Sequence, residues 1–265
     1  MTTKIEWTDV TWNPWHGCDK IAPECDDCYA ATFDARNLHA AHAGVAVMKN
    51  GRGEWTGKIT RGSESVWCAP FRFPRSSKMR SNSATLVFTC SMSDFWHERV
   101  PLEWLDEALD VIERTPHLIY QVLTKRPATA IRRLTDLKRE LPANVWFGVT
   151  VGHPQSLPLL KPMKRIEATL KFLSIEPLLA PMVPGLDLNG IGWVICGGES
   201  GHGARRCEPD WMRGVRDLCV ASRTPLFLKQ WGTWVSNPAP PGEELDASAK
   251  GGATLDGRLW REFPA

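Results

Sequence analysis

The chain lacks any long apolar stretch. No run of about 18 uninterrupted apolar residues occurs in it, which excludes a membrane-spanning helix of ordinary length. The first residues, Met1 to Trp7, lack the apolar core of a signal peptide, and Glu6 and Asp9 come too early for one. We therefore expect a cytoplasmic protein with no membrane partner.

A strong net charge is also missing. The 32 basic and 30 acidic residues leave a formal charge of +2, so no overall basic field demands nucleic acid as a partner, although local patches are compatible with this balance. The hydrophobic fraction of 43% and the charged fraction of 23% are ordinary for a soluble globular protein. A chain of 265 residues can form one large α/β domain or two small ones.

Eight cysteines are present, but only three lie close together. Cys18, Cys25 and Cys28 fall within eleven residues, and no fourth cysteine lies near them in the sequence. Without an export signal, these thiols are expected to stay reduced and to serve as metal ligands, nucleophiles or core residues. Cys90 and Cys196 lie in apolar runs, where a small buried residue is expected.

Three neighbouring thiolates predict a metal centre with one open position. Structural zinc sites usually have four protein ligands, whereas catalytic metals keep one position free, and three thiolates on a four-iron cluster leave one iron free. The acidic and basic residues around these cysteines make the stretch too polar for a core. The alternative is a structural zinc site with His16 or Cys207 as the fourth ligand, although His16 precedes Cys18 by only two residues.

From residue 86 onward, short apolar runs alternate with amphipathic helical stretches. We predict strands at 86–90, 118–123, 145–151, 170–175, 191–196 and 225–229, and helices at 101–114, 128–140, 156–164 and 209–222. A first strand near residues 5–10 and a helix from 25 to about 43 complete some six to seven βα units.

This alternation predicts the α/β class, with a full or partial (β/α) barrel favoured over an open doubly wound sheet. We expect one barrel-like domain over residues 1–234 that carries the N-terminal cysteine loop. Residues 44–85 are predicted to be a long insertion, which in a compact domain is typically functional or mobile. Residues 235–265, rich in proline and glycine, are expected to form a loose C-terminal extension.

Polar residues follow nearly every predicted strand. In βα folds the active site lies at the C-terminal ends of the strands. The candidates found in this way are Ser91, Asp94, Lys125, Glu176, Gly197, Gly198, Glu199 and Lys229. Each also has a structural interpretation: Asp94 can cap a helix, Lys125 can lie in a solvated loop, and residues 197–201 can form a simple turn. A glycine-rich loop nevertheless frees backbone amides for a ligand, and Glu199 can bind an amine or ribose hydroxyls.

Several motifs together resemble a known family. Asn13-Pro14-Trp15-His16-Gly17-Cys18, with Cys25-Asp26-Asp27-Cys28-Tyr29-Ala30, resembles the cluster loop of radical S-adenosylmethionine (SAM) enzymes, closest to the spore-photoproduct-lyase-like branch. Residues 4–234 are similar to a phage- and bacteria-associated family of unknown function with a three-cysteine motif. One feature departs from the radical SAM pattern, because six residues rather than three separate the first two cysteines.

The resemblance implies that Cys18, Cys25 and Cys28 bind three irons of a [4Fe–4S] cluster and that SAM chelates the fourth. One electron from an electron donor would cleave SAM and give a 5′-deoxyadenosyl radical that abstracts hydrogen from a substrate. The residues implied to contact the cluster or SAM are Tyr29, Gly197, Gly198 and Glu199. Strand-end position adds Ser91 and Asp94 as further SAM-binding candidates and Lys125, Glu176 and Lys229 as catalytic candidates.

The phage association and the likeness to the photoproduct-lyase branch suggest a nucleic-acid or nucleobase-related substrate. Basic and aromatic residues interleave in the insertion, where they can hold phosphates and stack bases, although an ordinary polar insertion has the same composition. These residues are Arg52, Arg61, Arg72, Arg75, Lys78 and Arg80 with Trp55, Trp67, Phe71 and Phe73.

Two other functions fit the same cysteines. The first is a metal-binding protein, with zinc or an iron–sulfur centre, that binds nucleic acid or a partner without radical chemistry. The second is an iron–sulfur protein that uses its open iron as a Lewis acid. A separate partner protein that completes the active site is compatible with all three interpretations.

Overall fold

The computed structural model describes residues 3–36, 42–77, 80, 83–201, 203–233 and 250–264. The strands are β1 (Val10–Trp12), β2 (Trp15–His16), β3 (Ala46–Lys49), β4 (Arg52–Trp55), β5 (Thr60–Arg61), β6 (Thr85–Thr89), β7 (Leu118–Thr124), β8 (Val145–Thr150), β9 (Leu170–Ile175), β10 (Trp193–Gly197), β11 (Leu226–Gln230), β12 (Thr254–Leu255) and β13 (Arg258–Leu259). The α-helices are α1 (Tyr29–Arg36), α2 (Glu64–Trp67), α3 (Leu102–Glu113), α4 (Pro127–Leu137), α5 (Leu160–Lys164) and α6 (Pro209–Ser222). Within these described residues, none of the helices has the length and apolar character needed to cross a bilayer.

Seven strands form the main sheet, and their order follows the chain: β1-β6-β7-β8-β9-β10-β11. In a doubly wound sheet the strand order reverses part-way, because later strands are added on the other side of the first strand. A βα barrel instead adds each new strand next to the strand that precedes it in the chain. The strand order therefore confirms the predicted α/β class and the full or partial βα barrel topology.

The chain divides into two compact units. Unit 1 comprises Met1–Ile21, Cys28–Val149 and Lys161–Thr169, and unit 2 comprises Ala22–Asp27, Thr150–Leu160 and Leu170–Ala265. The domain bounds expected from the sequence stay a prediction.

In unit 1, the strands β1, β6, β7 and β8 pair in parallel. Every residue of β6 and β8 is buried, which is typical of parallel strands covered on both faces. Helix α3 buries Leu105, Leu109 and Ile112, an apolar stripe with the spacing of helical turns.

The insertion at 44–85 has secondary structure of its own. Strands β3 and β4 form an antiparallel hairpin, and both pack against α1. Gly53 of β4 approaches the helix so closely that a Cβ atom there would overlap the backbone of Ala31 and Thr32. Strand β5 pairs antiparallel with β2, so this insertion supports the strand that leads to Cys18. Lys78, one of the basic residues noted above, lies outside the described residues.

Unit 2 contains the parallel strands β9, β10 and β11. The C-terminal residues 250–264 pack beside β11: Leu255 and Trp260 are buried, and the Leu228 amide donates to the Trp260 carbonyl at 2.8 Å. The expectation of a loose extension is therefore wrong for these residues, because their backbone pairs with β11, the last strand in the sheet order, and covers its edge. The rest of the predicted extension, residues 235–249, lies outside the described part of the chain.

Candidate metal centre

The three clustered cysteines are free and half-buried, unlike the fully buried Cys90 and Cys196. Cys18 and Cys28 belong to unit 1, and Cys25 ends a short 3₁₀ turn (Pro23–Cys25) in unit 2. Cys28 directly precedes α1, and its carbonyl accepts the first helical hydrogen bond, from Thr32, at 3.1 Å. Burial of Cys90 and Cys196 confirms the prediction that these two are core residues, and it raises the pKa of both thiols.

Gly17 fixes the backbone immediately before Cys18. Its φ of +107° lies in a region that favours glycine, and a Cβ atom there would overlap the carbonyl oxygen of Lys58. On its other side, the Gly17 amide donates to the Met92 carbonyl at 3.2 Å. The residue is thus held between two backbone segments, and only glycine fits.

Asn13 and Trp15 anchor the same loop within unit 1. The side-chain oxygen of Asn13 accepts from the Met92 amide at 3.1 Å, and its nitrogen donates to the Ser91 hydroxyl at 3.1 Å. Trp15 is completely buried, with its ring centroid 5.2 Å from that of Phe95. The motif residues therefore deliver Cys18 on a rigid backbone, as a ligand loop requires.

Replacement of Gly17 by alanine is expected to destabilise this loop. The positive φ alone costs about 1–3 kcal/mol for a residue with a side chain, and the overlap with Lys58 adds to it. Thermal unfolding should show a loss of roughly 2–4 °C for each kcal/mol. Gly51→Ala is the matched control, since Gly51 has a φ of +79° but open space around the added Cβ. Equal losses of thermal stability in the two variants would show that the close contact between Gly17 and Lys58 does not require glycine.

The Cys18 thiol lies in a buried, charged environment. The guanidinium of Arg126 lies 3.7 Å from the sulfur, measured from Nη1. Burial, together with the nearby Asp94 carboxylate, raises the pKa of the Cys18 thiol to about 12, although Arg126 and Lys125 oppose this shift. Without a bound cation the thiol therefore stays protonated at neutral pH, whereas a metal ion would displace the proton.

Asp94 is the centre of a hydrogen-bond network at the strand ends of unit 1. Its carboxylate accepts from the Thr124 hydroxyl at 2.8 Å, the Lys125 amide at 3.1 Å and the Trp96 amide at 3.0 Å. Arg126 adds an ion pair at 3.4 Å. Two predicted site residues, Asp94 and Lys125, are thus brought together, and Asp94 orders the loops around Cys18. Direct contact of either residue with SAM or a substrate stays a prediction.

The residue after Cys18 is also held firmly. The Asp19 carboxylate lies 3.2 Å from Nε2 of the buried His97 and 3.3 Å from Arg99. The Arg99 amide donates to Nδ1 of His97, which places the ring proton on Nε2, where it faces Asp19. Burial, followed by the charge of Arg126, lowers the pKa of His97, so the ring is neutral at pH 7.

Tyr29 and Ser91, two predicted cofactor-binding residues, lie together in unit 1. The Tyr29 hydroxyl donates to the Ser91 carbonyl at 3.2 Å, although 56% of the Tyr29 residue is exposed. This contact connects the start of α1, directly after Cys28, with the loop that follows β6.

In unit 2, two predicted catalytic residues form an ion pair. The Lys229 ammonium lies 3.2 Å from Oε1 of Glu176, and both side chains are largely buried. Gly197 leaves room for this pair, because a Cβ atom there would lie only 3.2 Å from the Glu176 oxygen. The ends of β9, β10 and β11 therefore meet at one polar cluster, as the strand-end argument expected.

The glycine-rich loop after β10 is packed against backbone. A Cβ atom on Gly198 would overlap the Trp231 carbonyl, and the Gly198 amide already donates to the Gln230 carbonyl at 2.9 Å. Close packing therefore explains why Gly198 is glycine. Contact of Gly197 or Gly198 with SAM stays a prediction.

Glu199 binds Arg205 within unit 2. The guanidinium donates to both carboxylate oxygens, at 2.9 and 2.6 Å. Arg205 also donates to the Pro23 carbonyl at 2.9 Å and to Asp26 at 3.4 Å, so it fastens the segment that carries Cys25. Glu24 adds a second attachment, because its buried carboxylate accepts from the Gly152 amide at 2.7 Å.

A family profile matches residues 2–264 of this chain, and its description is a protein of unknown function, DUF5131. The chain belongs to the DUF5131 family. This confirms the predicted membership in a family of unknown function. A search of curated proteins finds no match.

Among solved structures, a point mutant of spore photoproduct lyase is similar to this DUF5131 protein at 11% identity, with a TM-score of 0.37. The match covers 82% of this chain and 62% of that one, so the chain spans less than two thirds of that protein's length. A likeness of this size carries no argument about function.

Across the residues that the structure describes, no three His, Cys, Asp or Glu side chains converge as a metal site. The donor chemistry of the DUF5131 chain nevertheless suits a thiophilic metal, since three free, half-buried thiols share one polar loop. The alternative zinc ligands have other surroundings. His16 pairs with Asp34 at 3.0 Å, and Cys207 is fully buried, whereas the three clustered thiols are half-buried.

Sequence reasoning did not select several residues that surround the cysteines. They are Arg126, His97 and Asp19 in unit 1 and Arg205 and Glu24 in unit 2. Arg126, His97 and Arg205 do follow predicted strands, which is the signal that identified Asp94. Burial of their charges, which distinguishes them, is not visible in a sequence.

Proposed function

We propose that this DUF5131 protein is a radical SAM-type enzyme and that Cys18, Cys25 and Cys28 hold a [4Fe–4S] cluster. The observation that carries the proposal is the set of three free, half-buried thiols within eleven residues. The backbone next to two of these cysteines is fixed. Close packing holds Gly17 before Cys18, and Arg205 binds the Pro23 carbonyl before Cys25. Such support suits ligands that must keep their positions when the group binds.

When bound, a cluster of this type supplies the electron that cleaves SAM into methionine and a 5′-deoxyadenosyl radical, which takes a hydrogen atom from the substrate. We assign the chain's own residues to positioning and proton handling. Tyr29 holds the start of α1 to the loop at Ser91, next to Cys28. Glu176 and Lys229 form a partly buried pair that can hold a proton at Oε1 or Nζ. Glu199, bound by Arg205, keeps the Cys25 segment in place.

We propose a nucleic-acid or nucleobase-related substrate. Phe71, Arg72 and Arg75 of the insertion are all exposed, and exposed basic and aromatic side chains of this kind can bind phosphates and bases. Arg61 does not belong to this set, because Glu107 accepts from its guanidinium at 2.7 Å. Fluorescence anisotropy with a labelled single-stranded oligonucleotide tests these residues. Binding that is unchanged in an Arg72→Glu, Arg75→Glu double variant would exclude them.

Metal content separates the candidate functions. Purified without oxygen and reconstituted with iron and sulfide, the wild-type chain should be brown, absorb broadly near 400 nm and hold about four irons. Colourless protein with a single zinc ion after the same treatment would overturn the radical proposal in favour of a structural metal site. An iron–sulfur cluster that never cleaves SAM in the presence of a reductant would instead indicate Lewis-acid chemistry.

A further inference from the structure

Arg126 is a buried arginine whose guanidinium is aimed at a cysteine sulfur. Only 6% of the residue is exposed. Nη1 lies 3.7 Å from Sγ of Cys18, and Nη2 lies 3.5 Å from the carbonyl oxygen of Asp19, the next residue. One guanidinium therefore contacts both the sulfur of the proposed ligand and the carbonyl of the residue that follows it.

Two carboxylates fix the direction of this guanidinium. Glu98 accepts from Nε at 3.2 Å, and Asp94 accepts from Nη1 at 3.4 Å. Because Asp94 is itself bound by Thr124 and by the Lys125 amide, the arginine has little freedom to turn away from the sulfur. The geometry is that of a cation placed in advance for an anion at Cys18.

A protonated thiol is a poor partner for such a donor. The sulfur of a thiol accepts hydrogen bonds weakly, whereas a thiolate, free or metal-bound, accepts them from charged donors well. The contact with Cys18 therefore contributes most when this sulfur carries negative charge.

We propose that Arg126 is a positioning residue that stabilises the negative charge of the Cys18 thiolate ligand and so raises the reduction potential of the bound cluster. This inference rests on the proposed function. The reduced cluster carries one more negative charge than the oxidised cluster, and a nearby cation that donates to a ligand sulfur favours the reduced form. Radical chemistry needs that reduced form, so Arg126 would set how strong an electron donor the protein requires.

The test is a redox titration of the reconstituted Arg126→Gln and Arg126→Lys variants, in which the absorption spectrum of the cluster reports its reduction. For Arg126→Gln we expect the reduction equilibrium to fall about tenfold or more, which is about 59 mV for one electron. Arg126→Lys keeps the charge but loses the planar fork, so its shift should be smaller. If the Arg126→Gln variant does not retain iron, the shift in reduction potential of the Arg126→Lys variant is measured in its place.

Arg133→Gln is the matched control. Arg133 lies on α4, is equally buried, and donates to the carbonyl of Glu98 at 3.0 Å and to that of Val100. Loss of Arg133 disturbs the same loop without removing a cation from the Cys18 sulfur, so the potential should stay within about twofold, or about 18 mV, of wild type. Equal shifts in the Arg133 and Arg126 variants, or none in either, would overturn the inference. A wild-type chain without any cluster would instead overturn the proposed function.

Discussion

Replacement of Cys28 by alanine is expected to lower the iron content from about four per chain to less than one after reconstitution, because two thiolates cannot hold a four-iron cluster. Mutation of a residue that only supports a metal ligand usually lowers activity roughly 10- to 100-fold, and loss of the ligand itself should lower the rate of SAM cleavage by more than that. The fold should survive, since Cys28 is half-buried at the start of α1 and alanine keeps the backbone bond to Thr32. Iron analysis and assay of 5′-deoxyadenosine measure the two effects.

Cys68→Ala is the control for the loss of one thiol. Cys68 is also free and half-buried in unit 1, but it lies at the end of α2, outside the cysteine motif. Its replacement should leave iron content and SAM cleavage unchanged. If the Cys28 variant keeps the full iron content, Cys28 is not a ligand, and the three-cysteine assignment fails.

Replacement of Arg205 by methionine is expected to destabilise the chain and to weaken iron retention. Glu199 is buried and binds Arg205 through both oxygens, so methionine leaves a buried carboxylate without its cation. Breaking a buried ion pair in this way costs about 3–5 kcal/mol, and the partial exposure of Arg205 places the expected loss near the lower end. Thermal unfolding measures the loss.

The second effect of this substitution concerns the Cys25 segment. Arg205 donates to the Pro23 carbonyl and lies beside Asp26, so its removal releases the residues on either side of Cys25. We expect iron to be lost to a chelator faster than in wild type.

Arg213→Met is the matched control for Arg205. Arg213 also lies in unit 2 and binds two carboxylates, but the Asp210 side chain is 89% exposed and that of Asp256 is 36% exposed, and surface pairs contribute little. Its replacement should leave both stability and iron retention nearly unchanged. Iron retention that is equal in the Arg205 variant and in wild type would show that this arginine has no part in holding the Cys25 segment.

Most of the βα alternation could be predicted from the sequence, because it depends on local patterns. The strand Leu170–Ile175 and the helix Pro209–Ser222 agree with expectation to the residue. The first is a short apolar run, and the second is amphipathic with proline at its start. The helix expected from residue 25 instead begins at Tyr29, because a 3₁₀ turn precedes it.

The structure inside the insertion was not predicted, although a signal was present. Asn50 and Gly51 both have positive φ, the pattern of a tight hairpin turn between β3 and β4. The flanking Val47 and Met48 are exposed, so the usual alternation of buried and exposed residues is missing there. The sequence therefore showed a loop where the chain forms a hairpin.

Some residues of the candidate site could likewise be predicted from the sequence, and others could not. The cysteines and the strand-end residues were visible because chemistry and position identify them. The burial of Arg126 and Arg205 was not, because it depends on partners such as Asp94 and Glu199 that the fold brings near them. The pairing of Glu176 with Lys229 likewise follows from neighbouring strands, not from sequence distance.

Formation of 5′-deoxyadenosine by the wild-type chain tests the proposed function most directly. After reconstitution without oxygen, with dithionite as the one-electron donor and SAM as the co-substrate, we expect 5′-deoxyadenosine and methionine in equal amounts. Omission of dithionite should stop their formation, since cleavage consumes one electron per SAM. A wild-type chain that holds about four irons but forms no more 5′-deoxyadenosine than the Cys28→Ala variant would contradict the radical SAM assignment.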